Sequence, residues 1–164
     1  MQIAFRIPVI AFVVHAFAIC AFAAFGSIFH GLPVWILGLV YAIALLAALA
    51  PICRSSQEAS VPLAARVAAL HVLVSAVLIA LGFAEEILPV VGGILSFASA
   101  MFFFVLNYPG LAVTKLLPYR GPSGLWMLLS NSLMVFVTAA WLFLAVVIAR
   151  AVSRWTAVRA QNAA

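Results

Sequence analysis

Two histidines are the residues best placed to do chemistry in this chain. His15 stands eight positions past Ile7 and His71 eight past Leu63, and Ile7 and Leu63 each open a long apolar run. On two helices that cross a bilayer in the same direction, these imidazoles would lie at similar depth. Such a pair can ligate a haem iron from both sides or line a quinone pocket. A lone intramembrane histidine is more often hydrogen-bonded to a neighbouring helix, and that is the expectation here. No cofactor is expected, and a haem b or quinone anchor built on His15 and His71 is kept as an alternative. Ser75 follows His71 by one helical turn and shares its face with Leu78 and Gly82. A serine and a histidine on one helix with no orienting acid make a poor nucleophile.

Other polar residues are few, and inside a bilayer each is costly enough to mark a candidate site. Glu85 and Glu86 close the third apolar run and read as a solvated terminus, with one glutamate turned inward as the alternative cation or proton site. Ser130, Asn131 and Ser132, with Thr138 beyond them, form the most polar stretch within any run. Interhelical hydrogen bonding is the expectation for them, and the wall of a narrow polar path is the alternative. Arg66 lies close enough to a run's start to snorkel to the interface. There is no GxSxG, P-loop, dinucleotide-binding glycine pattern, HExxH or aspartate pair. The chain is not expected to be an enzyme, and no metal site is expected.

Positioning these residues falls to elements built for lipid. The 164 residues are 69% hydrophobic and 7% charged, with a mean hydropathy of +1.35. Soluble domains are near half apolar and a quarter charged, so a water-soluble enzyme, a disordered chain and a disulfide scaffold are all excluded. The net charge of +5 comes from eight basic and three acidic residues. The basic residues are scattered singly between apolar runs, so no nucleic-acid partner is expected. Cys20 and Cys53 form no metal-spaced cluster and are expected as free thiols roughly 20 Å apart.

Crossing about 30 Å of hydrocarbon takes about 20 apolar helical residues. The runs 7–25, 34–50, 63–83, 90–106 and 125–149 meet or approach that length. No run alternates at period two as a membrane barrel requires, so helices are the expected form. Proline and glycine punctuate the ends: Pro33, Pro51, Pro62, Pro89, the turn-like Asn107-Tyr108-Pro109-Gly110, and Gly121-Pro122. The fold expected is all-α: a polytopic integral membrane bundle of four or five transmembrane helices in a single membrane domain over 1–164. Run 90–106 is the contested one, and five spans are preferred. The start of the first run, with Arg6 before the apolar stretch 7–19 and Ala21-Phe22-Ala23 after that stretch, also has the make-up of a secretory signal. It is expected to be retained as a span, and Ile19 before Cys20 disfavours a lipoprotein signal.

Charge leaves the orientation open. Five crossings place Arg6, Arg54, Arg66, Lys115 and Arg120 inside, and Arg150, Arg154 and Arg159 outside. If 90–106 instead dips in and returns, six basic residues fall inside and two outside, which the positive-inside bias favours. The segment Arg150–Arg159 has helical spacing and is expected to extend the last helix against headgroups.

Small residues recur every fourth position at Ala16-Cys20-Ala24, Ala76-Ala80-Ala84 and Gly92-Ser96-Ala100. Stripes of this kind let helices approach closely in lipid. Abundant packing surface with almost no chemical groups points to a multi-pass protein of the bacterial inner membrane with a non-catalytic association role. It would be a membrane subunit, assembly factor or immunity-type protein that binds another membrane protein or itself. An oligomeric transporter or channel component is the alternative.

Overall fold

The computed structural model describes residues 2–28, 34–56, 59–83, 89–114 and 124–162. Among these the order is α1 (Gln2–Ile28), α2 (Val34–Ser55), α3 (Ser60–Gly82), α4 (Pro89–Leu106), α5 (Tyr108–Thr114) and α6 (Gly124–Asn162), with no strand. The chain is a helical membrane protein: α1, α2, α3 and α6 are each long and apolar enough to cross a bilayer. The apolar part of α4, Val91–Leu106, is shorter.

Helices here run past the limits set by hydropathy, because a helix need not stop where the hydrocarbon stops. Pro51 has the look of a terminus for the second run, yet α2 continues through it to Ser55. A proline this near a helix end forfeits one backbone bond, and Arg54 in the last turn favours the negative end of the helix. Pro62 sits in the first turn of α3, where its missing N–H costs nothing. The basic segment after residue 149 does extend the last helix. α6 runs for 39 residues, about 58 Å at 1.5 Å per residue.

The chain divides into two compact units, 1–70 with 142–164, and 71–141. In the first, α1 packs on α2 through Ala11, His15 and Ile19 against Tyr41, Leu45, Leu49 and Cys53, all buried. Leu63, Ala64 and Val67 of α3 and Leu142, Ala145, Val146 and Ala149 of α6 complete that core. In the second, α3 supplies His71 and Ser75, α4 supplies Ser99, Phe103 and Leu106, and α6 supplies Met134 and Thr138.

Burial is inverted relative to a water-soluble protein. Phe17, Ile94, Phe97 and Phe136 expose 77, 72, 71 and 71% of their surface. His15, His71, Ser75, Asn107 and Thr138 expose none. Large apolar side chains outside and polar ones inside suit a chain whose solvent is hydrocarbon.

The small-residue stripes pack less than their spacing suggests. Cys20, Ala24, Ala76, Ala80 and Ala100 are exposed, and Ala84 lies outside the described residues. On α1 the buried face is instead Ala11-His15-Ile19, since turning the helix that way gives the imidazole a polar partner. Only the α4 stripe is turned inward at its start, with Gly92 buried and Ser96 half-buried. The Ser96 hydroxyl donates to the carbonyl of Gly82, 2.8 Å away at the end of α3, which satisfies one of that terminus's open acceptors.

Candidate functional site: a buried polar knot at a helix break

α4 and α5 are separated by a single residue, Asn107. The cause is local. Pro109 has no N–H to offer the carbonyl of Val105, and the Gly110 N–H leaves the helix axis to donate to Thr138 Oγ1 on α6, 3.1 Å away. The helix cannot continue straight through two missing bonds. Its ends are still tied, because the Asn107 N–H donates to the Phe103 carbonyl at 3.0 Å and the Leu111 N–H to the Asn107 carbonyl at 2.9 Å.

The Asn107 side chain uses its hydrogen-bonding capacity inside the protein. One amide proton goes to Ser75 Oγ at 3.2 Å and the other to the Phe103 carbonyl at 3.0 Å. Its Oδ1 accepts from His71 Nε2 at 3.0 Å. That contact fixes the imidazole's Nε2 as the protonated nitrogen. His71 and Ser75 are one turn apart on α3, so a single face of that helix meets the end of α4 through one amide. Gly110 then lies flush on α6: a Cβ there would run into the carbonyl oxygen and Cα of Met134. Only glycine allows that approach.

His15 sits in a simpler setting. Its Nδ1 shares a 2.9 Å hydrogen bond with the Tyr41 hydroxyl across α1 and α2. The Tyr41 ring leans on Phe22, with centroids 5.4 Å apart, and Phe12 tilts against the imidazole at 6.5 Å. The two histidines thus belong to different units, each with its own side-chain partner. Axial ligation through Nε2 of His71 would require the bond to Asn107 to break.

Of the other candidates, Ser130 donates to the Met127 carbonyl of its own helix at 3.1 Å. Asn131 is half-buried and Ser132 exposed, so this stretch does not join the knot, and Thr138, two turns on, does. Glu85, Glu86, Lys115 and Arg120 lie outside the described residues. Cys20 is exposed, Cys53 buried, and both are free. Among the described residues no three of His, Cys, Asp and Glu gather as a metal cluster.

The sequence by itself puts Asn107 in a turn-like motif and gives Tyr41 no role, which hides both histidine partners. Each carries a signal. Asn107 ends an uncharged run two positions before a proline, and Tyr41 lies well inside its run rather than at an edge.

Fold and site together define a multi-helix membrane protein in which His15, His71, Ser75, Asn107 and Thr138 are buried and hydrogen-bonded within the protein. Searches against protein families, curated proteins and solved structures find no match to this chain.

Proposed function

We propose that this protein is a non-catalytic component of a bacterial inner membrane, whose work is to associate with another membrane protein or with further copies of itself. One observation carries the reading: the buried side chains His15, His71, Asn107 and Thr138 are held by partners inside the protein, while the outward faces are largely apolar and in places small. His15 is held by Tyr41, Asn107 by His71 and Ser75, and Thr138 by Gly110. A site for a polar substrate needs donors and acceptors left open toward it. An associating helix needs smooth, close-packing faces, and Cys20-Ala24 on α1 and Ala76-Ala80 on α3 offer them.

Cys20 supplies the test, because it is a native exposed thiol on such a face. Treatment of native membranes with a short bis-maleimide, followed by extraction in mild detergent, is expected to yield a stoichiometric adduct. A strictly monomeric, partnerless particle overturns the proposal. Membrane transport is the second reading, favoured by the break at Asn107, since interrupted helices form the binding sites of many transporters. Flux into proteoliposomes that Asn107→Leu abolishes would establish it, and flux that this variant leaves unchanged removes it.

A further inference from the structure

We propose that α6 leaves the membrane on the side where α2 ends. The arginines gathered where α2 and α6 end then form a surface for the headgroups of an anionic leaflet.

Arg150 is the anchor of this inference. It ends the uncharged stretch 126–149 of α6, is buried, and its guanidinium donates to the carbonyl of Ser56, the residue after α2. The uncharged stretch must lie in hydrocarbon, so the Arg150 end of α6 emerges beside the end of α2 and the start of α3. α1 packs on α2 and is joined to it by five residues, 29–33, which makes the pair antiparallel and brings Arg6 to the same side. Arg6, Arg54, Arg66, Arg150, Arg154 and Arg159 therefore share one face, six of the eight basic residues in the chain. That is the stronger of the two charge distributions, reached here from a hydrogen bond rather than from charge.

Within the second unit α4 runs alongside α3. Ser96 meets Gly82 at the end of α3, and Asn107 meets His71. Both pairs of positions are eleven residues apart along their helices, so α4 descends antiparallel to α3 by about 16 Å, close to half the hydrocarbon thickness. There it breaks, and Gly110 seats against α6. Irregular backbone at that depth is tolerated only where protein covers it, and the bonds to Thr138 and Phe103 supply that cover.

The arginine face has the chemistry of a phosphate surface. Arg6, Arg54, Arg66, Arg154 and Arg159 are exposed, and Arg159 stacks on the exposed Trp155 ring with 3.8 Å between guanidinium carbon and ring centroid. A tryptophan beside arginines suits the headgroup layer. Each basic side chain near an anionic leaflet strengthens binding about five-fold.

Two measurements test the proposal. In full-length Cys20→Ala protein, Ser55→Cys and Thr156→Cys are labelled with an impermeant maleimide in right-side-out and inverted vesicles. Both are expected to react in the same preparation, and reaction in opposite preparations overturns the shared face. Purified protein is then titrated with phosphatidylglycerol, phosphatidylcholine or inorganic phosphate while its thermal midpoint is followed. Stabilisation by phosphatidylglycerol alone is expected, with about 25-fold weaker apparent affinity in the double variant Arg54→Gln, Arg154→Gln. An equal response to phosphatidylcholine or to inorganic phosphate, or an unchanged affinity in the variant, overturns the leaflet surface.

Discussion

The two buried histidines make the instructive comparison. His15 lies between α1 and α2 and braces them through its hydrogen bond with Tyr41. His71 belongs to a network of side chains that closes a broken helix, where Asn107 bonds to α3, to its own helix and, through the neighbouring Gly110, to the region of Thr138. The residue type and the burial are the same, but the duties differ. In the first unit the polar pair joins two helices that run on past it, and it adds orientation. In the second, the backbone itself has lost partners, so removing one side chain exposes several buried groups at once. Networks of that kind fail as a unit, and isolated braces do not.

The largest effect is expected where the two units differ most, at the seat of α5. Gly110→Val places side-chain carbon against the Met134 backbone, which only a backbone shift can relieve. It should cost about 3 kcal/mol or prevent folding, read as loss of monodisperse protein on gel filtration and a collapsed thermal midpoint. Asn107→Leu comes next. It strands His71, Ser75 and backbone groups in an apolar interior and should cost about 2 kcal/mol in thermal or denaturant unfolding. Arg150→Met removes the donor on Ser56 while keeping an apolar stem, and a loss of about 1–2 kcal/mol is expected. Tyr41→Phe should be mildest. It deletes one hydroxyl and keeps the stacking on Phe22, and about 0.6 kcal/mol is the usual worth of such a bond between membrane helices. If Tyr41→Phe equalled Asn107→Leu, the contrast between brace and network would be lost.

How much of this is legible in the sequence follows from what is local and what is not. Long charge-free runs between prolines and glycines place the helices, because hydropathy is a property of the run itself. Helix ends are less legible, since α2 and α6 continue into polar territory where composition gives no stop. The histidines stand out as costly intramembrane groups. Their partners do not, because which residues meet across helices depends on rotation and tilt, which no run of apolar letters encodes when every face is apolar. The small-residue stripes fail as guides for that reason: α1 is turned to satisfy His15 rather than to bury Ala16, Cys20 and Ala24. Asn107 hides in a motif that reads as a four-residue turn, but only Asn107 leaves the helix, and α5 already begins at Tyr108. Arg150 reads correctly as the edge of the apolar run, but its bond to Ser56 joins residues 94 positions apart and has no sequence signature.

The central claim is that the polar groups of the second unit are structural and act together. The direct measurement is a double-mutant cycle of His71→Leu and Asn107→Leu, with unfolding free energy followed in bicelles. The account predicts that the double variant loses little more than either single one, a coupling of about 1 kcal/mol or more. Losses that simply add, leaving no coupling between His71 and Asn107, would contradict it.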